Sequence, residues 1–145
     1  MKISHLLSLS NKSIPRVSPG ACVLEALQIL QKCREGALVV MEGELLLGLF
    51  SERDYIARVI LKHLDPYNTV VSDVMTTNVE TARPEDEVES CLQKMTQKNF
   101  RHIPIMQEGK MVGFFNILEI NGAILETKNQ ILQNLEDYAA KTWPI

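Results

Sequence analysis

The 145 residues contain no run approaching the roughly 20 consecutive apolar positions of a membrane helix. The opening Met1-Lys2-Ile3-Ser4-His5-Leu6-Leu7 is too short and too interrupted for a secretory leader, and the expectation is a cytoplasmic protein. Cysteine is sparse: Cys22, Cys33 and Cys91 make no C-x-x-C pair. That argues against a disulfide framework or a zinc knuckle and for reduced thiols. There is no excess of positive charge. Fifteen basic against 18 acidic residues give a net charge of −3, which speaks against coating nucleic acid or anionic lipid by bulk charge. A local basic pocket for one small anion remains compatible with that balance. Signatures of catalysis are missing as well. His5, His63 and His102 are scattered, without H-E-x-x-H spacing or a carboxylate–histidine cluster for a metal. No G-x-S-x-G elbow, P-loop or G-x-G-x-x-G turn occurs. The expectation is a protein that is not an enzyme and holds no metal.

What is present is a duplication. Slid by 65 residues without a gap, the chain matches itself at Pro19/Pro84, Val23/Val88, Leu27/Leu92, Gln28/Gln93, Met41/Met106, Gly48/Gly113 and Phe50/Phe115. Similar pairs such as Leu38/Ile103 and Val40/Ile105 fill the gaps. Two copies of one unit are read, over residues 14–62 and 79–124, with a short joint between them.

Both copies carry the same signals. Ile14-Pro15-Arg16-Val17 reads as extended. Ser18-Pro19 then opens a helix on Val23, Ala26, Leu27 and Leu30, and Arg83-Pro84 opens one on Val88, Cys91, Leu92 and Met95. Glu85, Asp86 and Glu87 are placed in that helix's first turn, where the dipole favours them. A hairpin follows: residues 37–41 and 45–50 flank Glu42-Gly43-Glu44, and residues 102–106 and 110–115 flank Glu108-Gly109. Pro104 lacks an N–H and predicts an edge or a break in pairing. A second helix starts near Asp54 and near Ile117. Each unit is thus strand–helix–strand–strand–helix, an α/β pattern. One unit is too small to enclose a core, whereas two packed face to face can close one and leave a cleft between them. Beyond Glu126, Ile131, Leu132, Leu135 and Tyr138 recur at helical spacing and predict a terminal helix whose apolar face needs a partner, its own core or another subunit. Trp143-Pro144-Ile145 either frays or docks on that partner.

Three segments carry possible chemistry, each with two readings. In Gly48-Leu49-Phe50-Ser51-Glu52-Arg53-Asp54, Ser51 and Asp54 make a capping box. The same helix N-terminus suits a phosphate, its carboxylate a ribose diol, and Arg53 a further charged contact. Asn116 and Glu119 repeat the pair. Lys98-Asn99-Phe100-Arg101-His102-Ile103-Pro104 is either a solvated turn with a partly buried His102 or a phosphate clamp, since guanidinium forks onto phosphate oxygens. In Val71-Ser72-Asp73-Val74-Met75-Thr76-Thr77, Met75 is either core or a thioether against an adenine ring.

Gly48-x-x-Ser51-x-x-Asp54, the joint Ser72-Asp73-Val74-Met75-Thr76, and Arg101-His102-Ile103-Pro104-Ile105 with Gly109 and Gly113 together resemble the CBS domain pair, or Bateman module, over about residues 1–124. The resemblance implies two βαββα units about a pseudo-twofold axis, a homodimer, and a C-terminal segment, 125–145, outside the module. It implies an adenosine ligand: AMP, ADP, ATP, NAD or S-adenosylmethionine, with NAD lying in the duplicated cleft. Carried over, Ser51 and Asp54 fall on ribose positions, Arg101 and His102 on the phosphate side, and Met75 and Thr81 on base contacts. Arg53, Ile103, Pro104 and Asn116 complete the expected ligand-binding set. Glu119 departs from the family's aspartate and displaces a ribose by one methylene. Gly36-Ala37 stand where the second copy has Arg101-His102, so the cleft is electrically lopsided. The implied function is a regulatory nucleotide sensor in signal transduction, acting through conformation or a separate protein target. The alternative is an assembly module whose task is dimerisation, with no physiological ligand.

Overall fold

The structure is a computed structural model, and it describes residues 1–142. Trp143, Pro144 and Ile145 lie outside the described residues, and so does the expectation about them. Helix α1 (Ile3–Leu9) precedes strand β1 (Arg16–Val17), helix α2 (Val23–Lys32) and the hairpin β2 (Ala37–Glu42) and β3 (Leu45–Ser51). A short helix α3 (Glu52–Tyr55) continues as one π-helical turn, Ile56–Ile60. After a 3-10 turn at Val71–Asp73 come α4 (Val88–Lys98), β4 (His102–Gln107), β5 (Lys110–Asn116) and α5 (Ile117–Thr142). This is the expected mixed α/β architecture of two βαββα-like units with a C-terminal helix.

The duplication extends to the irregularities. Both hairpins shift register at the same place, between Val40 and Met41 and between Ile105 and Met106. They differ where the sequences differ in backbone chemistry. In unit one, β1 runs parallel to β2, and the Val39 N–H donates to the Pro15 carbonyl at 3.0 Å. Val39 falls on Pro104, which has no N–H to give. The first strand of unit two therefore shrinks to a single parallel bridge, Ala82 to Ile105. The Ala82 N–H still donates to the Pro104 carbonyl at 3.0 Å.

Three expectations about helices are corrected. α2 and α4 begin at Val23 and Val88, four residues after Pro19 and Pro84, because each proline opens a turn first. The Ala21 N–H donates to the Ser18 carbonyl, and the Arg83 N–H donates to the Asp86 carboxylate at 2.9 Å. Glu85, Asp86 and Glu87 consequently precede the helix, and Glu89 is the acidic residue of its first turn. The second helix of unit two and the terminal helix are one continuous α5. The sequence between Ala123 and Thr142 holds no proline or glycine to stop it.

Packing divides into two unit cores and a seam. Unit one gathers Val23, Leu30, Leu38, Val40, Phe50 and Val59. Unit two gathers Val88, Met95, Ile103, Ile105, Phe115 and Ile120, together with Ile3 of α1. Between the sheets, Phe114 packs with Ala37, Val39 and Met41. β2 is covered on both faces, which explains its unbroken apolar run. The segments that precede each unit cross over. Residues Ile3 and Ser4 donate backbone N–H groups to Asp86 and Pro84 of unit two. The joint does the reverse, with Val71 bonded to Ala21 and Thr76 paired both ways with Leu49 of unit one.

Candidate functional site

Ser51 ends β3 in an extended conformation and caps α3. Its Oγ accepts from the Asp54 N–H at 3.2 Å, and its own N–H donates to Asp54 Oδ2 at 3.0 Å. The capping box read from the sequence is therefore formed. It buries Asp54, which is 8% exposed, and turns its carboxylate toward the joint, where Thr76 Oγ1 donates to Oδ1 at 2.9 Å. Arg58 Nε stands 4.0 Å from the same oxygen, while its guanidinium also donates to the Met75 carbonyl at 2.6 Å. Ser51 Oγ lies 3.1 Å from Oδ2 as well; of the roughly four lone-pair sites of a carboxylate, one on Oδ1 is left to accept.

Asp54 lines a cleft of about 570 Å³ between the two units. Ser51, Arg53, Arg101, His102 and Asn116 line it too. Of the remaining sequence-predicted residues, Met75 packs against unit one's core with its sulfur close to Gly48, and it does not line the cleft, although the next residue, Thr76, does. Thr81 lies outside the lining, its carbonyl accepting from Lys94 at 3.0 Å. Ile103 and Pro104 are buried in the unit-two sheet and form no wall of the cleft. Equivalent backbone bonds hold the two mouths: the Glu52 N–H donates to the Gly36 carbonyl, and the Ile117 N–H to the Arg101 carbonyl. Gly36 has no side chain to answer the Arg101 guanidinium, but Arg34 and Arg53 of unit one also line the cleft, so basic charge is not confined to unit two and the expected lopsidedness is corrected.

Sequence reasoning missed Arg34 and Glu35, which also line the cleft, and gave no ligand-binding role to Glu52, Thr76, Asn99 and Phe100, which stand in its candidate segments and line it too. Arg34 and Glu35 carried a findable signal, since they are the shift-counterparts of Asn99 and Phe100 in the segment that was singled out. Arg34, Arg53 and Arg101 are exposed and make no hydrogen bond or ion pair among the described residues. Arg58 and Arg83, by contrast, are each paired with carboxylates. Three guanidiniums without an ion pair around one hollow, with the exposed Glu52 and the engaged Glu35 and Asp54 among them, offer charge-assisted donors to an anion.

His102 joins the units. Its ring stacks on Phe114 with centroids 5.5 Å apart, and Nε2 lies 2.6 Å from the Glu35 carbonyl oxygen. A carbonyl only accepts, so Nε2 carries the proton. Burial lowers the His102 pKa, against the hydrogen bond and the negative charge of Glu35. Glu35 is pushed up by burial, but hydrogen bonds from Lys12 and Asn116 and the Lys12 charge outweigh this and hold its carboxyl below the ordinary value. The signs agree. A histidine with a lowered folded pKa adds stability that is full above 6.5 and lost as pH falls through its folded value. The Glu35 contribution is full above 4.5 and lost on further acidification. The urea midpoint is therefore expected to fall from pH 8 to pH 5.5, and His102→Gln to flatten that part of the profile. A wild-type midpoint constant over this range would contradict the assignment. Among the described residues no group of His, Cys, Asp and Glu is placed to hold a metal. Cys91 is buried with its thiol pushed up to about 11, mainly by desolvation, and so is unreactive. No helix of the described chain is long and apolar enough to cross a membrane.

The sequence model of the CBS domain matches residues 71–126. A mitochondrial CBS domain-containing protein of Arabidopsis thaliana is 32% identical over 121 residues, which is 80% of this chain. The chain spans 59% of that relative's length. A candidate signal-transduction protein with CBS domains from Burkholderia ambifaria superposes with a TM-score of 0.81 at 26% identity, covering 87% of this chain and 95% of that one. A CBS-domain protein from Pyrobaculum aerophilum, solved in complex with AMP, shares the fold with a TM-score of 0.72 at 24% identity, over 82% of this chain and 89% of that one.

Proposed function

Because this chain belongs to the CBS-domain proteins, we propose that it is a regulatory sensor that binds an adenine nucleotide (AMP, ADP, ATP or NAD) between its two units. The observation that carries this reading is the convergence of the buried Asp54 carboxylate and three unpartnered guanidiniums, Arg34, Arg53 and Arg101, on one cleft. Asp54 accepts from the ribose diol, one hydroxyl taking the open Oδ1 site and the other replacing the Ser51 Oγ or Thr76 Oγ1 donor. The arginines take the phosphates as charge-assisted forks. AMP in the Pyrobaculum aerophilum protein supports the ligand class. Residues 1–124 form the sensing module, acting in the cytoplasm and without catalysis.

A thermal-shift panel of AMP, ATP and NAD tests the reading. At ligand 100-fold above Kd, linkage adds about 2.7 kcal/mol, which for a chain of this size raises Tm by roughly 5–10 °C. Asp54→Ala is expected to abolish the shift while the protein still melts cooperatively, about 1 kcal/mol less stable for the lost half of the capping box. Arg101→Ala is expected to weaken ATP and ADP more than adenosine. A wild-type protein whose Tm ignores the whole panel would overturn the proposal.

One observation favours the assembly reading beside it. Ile56, Ile60, Leu61 and Leu64 after α3, and Leu118, Leu125, Ile131, Leu132 and Leu135 on α5, are all exposed. The core of the described chain covers none of them, which supports a second subunit as the partner of the terminal helix. Sedimentation of a homodimer at micromolar concentration is the expected result, and a dimer indifferent to nucleotide would favour assembly alone.

A further inference from the structure

The repeat gives every cleft residue a mirror position, and at one of these the chemistry is inverted. On the Asp54 side, the segment preceding unit two supplies a hydroxyl to the carboxylate: Thr76 Oγ1 to Oδ1, 2.9 Å. Under the 65-residue shift Asp54 falls on Glu119, and Thr76-Thr77 falls on Asn11-Lys12, the segment preceding unit one. There the chain supplies an ammonium group. Lys12 Nζ lies 2.6 Å from Glu119 Oε1 and 2.9 Å from Glu35 Oε1. It also sits over the rings of Phe114 and Phe115, at 5.7 and 5.6 Å from their centroids.

Asn116 braces both carboxylates, taking the second oxygen of Glu35 and sharing Oε1 of Glu119 with the lysine. Asn116 Nδ2 donates to Glu35 Oε2 at 2.9 Å, and the Asn116 N–H donates to Glu119 Oε1 at 3.1 Å. The Glu119 N–H at the head of α5 is taken by Asn116 Oδ1 at 2.9 Å. The side chains of Lys12, Glu35 and Glu119 are 22%, 15% and 31% exposed, so the cluster is largely withdrawn from water.

We infer that Lys12 is the built-in occupant of the second ligand site, so that the module takes one nucleotide per chain. This rests on the nucleotide-binding reading of the Asp54 site. A sugar diol entering at Glu119 must displace a cation held by two carboxylates and two aromatic faces. A phosphate drawn to Lys12 meets Glu35 and Glu119 on either side of it. Neither part of a nucleotide offers Glu35 and Glu119 the positive charge that Lys12 provides. The departure from aspartate to glutamate fits the same picture, since the extra methylene lets Glu119 reach the lysine while its Oε1 still accepts the Asn116 N–H.

Calorimetric titration with ATP counts the sites. The wild type is expected to bind one equivalent. Lys12→Thr combined with Glu119→Asp removes the ammonium group and shortens the carboxylate, leaving a hydroxyl one residue on from Asn11, the counterpart of Thr76, and is expected to bind two, or one when Asp54→Ala is added. Lys12→Arg is expected to remain at one. Two equivalents in the wild type, or no gain in a cooperatively melting Lys12→Thr/Glu119→Asp protein, would overturn the inference and leave the Asp54 reading standing. No binding in the wild type with one equivalent in the variant would do the opposite, and no binding in either would end both. Should the variant not fold, labelling of the wild type with an amine-acylating reagent decides: Lys12 is expected to be protected to the same degree with and without saturating ATP, and exposure by ATP would refute its role as occupant.

Discussion

Phe114→Ala is expected to cost about 3–5 kcal/mol, the usual loss when a fully buried phenylalanine leaves a cavity. Phe114 is completely buried, yet it belongs to neither unit core. It crosses the seam from unit two to Ala37, Val39 and Met41 of unit one, stacks under His102 and faces Lys12. Its loss removes apolar filling between the sheets and the platform that holds His102 toward the Glu35 carbonyl. Against a typical total stability of about 5–15 kcal/mol, the damage is severe. Tm is expected to fall by roughly 10 °C or more, and ligand affinity to fall with it, because the cleft walls come from different units. Phe115, its neighbour in sequence, points into unit two's own core. Phe115→Ala is expected to cost a similar amount of stability while disturbing the seam less. Chemical denaturation of the two variants, read with tryptophan-independent circular dichroism, makes the comparison. A seam variant losing less than about 1 kcal/mol would mean that the two units are not joined through Phe114.

The second large effect is expected at Gly48, where the joint is laid against β3. A Cβ there would stand 2.5 Å from the Thr76 carbonyl oxygen and 2.9 Å from the Met75 sulfur. The sulfur could swing away, but the carbonyl could not. Thr76 is fixed by its two backbone bonds with Leu49, 2.9 and 2.8 Å, and its hydroxyl is bound to Asp54. Gly48→Ala must therefore peel the joint from the strand and take a hydrogen bond from the Asp54 carboxylate. The expected cost is about 1–3 kcal/mol, as for other overpacked sites, with weaker nucleotide binding in the same variant. Gly122→Ala serves as the opposite control. It lies inside α5, nothing stands within 4 Å of its added Cβ, and alanine there is expected to stabilise by about 0.5–1 kcal/mol. Urea midpoints moving in opposite directions for the two glycines would be the confirming result; a stabilised Gly48→Ala would show that the joint is free to shift.

The elements differ in how far the sequence discloses them. The hairpins were legible because their apolar runs are bounded by Glu-Gly turns, and both Gly43 and Gly109 adopt the positive φ that such turns require. The Ser51–Asp54 pair was legible as a cap because a capping box is a local arrangement, complete within four residues. The starts of α2 and α4 were misplaced because a proline is as suited to a turn as to a helix's first residue, and the choice depends on backbone partners distant in the chain. Pro104 shows an intermediate case. Its missing N–H was evident in the sequence, but that the missing bond would reduce the first strand of unit two to one bridge required knowing which carbonyl lay opposite.

Periodicity and the 65-residue repeat determined the α/β units, their duplication and the residues of the Ser51–Asp54 cap, because these follow from interactions between near neighbours or from the chain's likeness to itself. The tertiary structure alone decided that Lys12, 23 residues from Glu35 and 107 from Glu119, would meet both. It also decided that Arg34 would share a hollow with Arg53 and Arg101, and that Ile103 and Pro104 would turn from that hollow into the sheet. The reason is the crossing of each preceding segment onto the opposite unit: contacts made across a pseudo-twofold join residues whose separation along the chain carries no periodic signal.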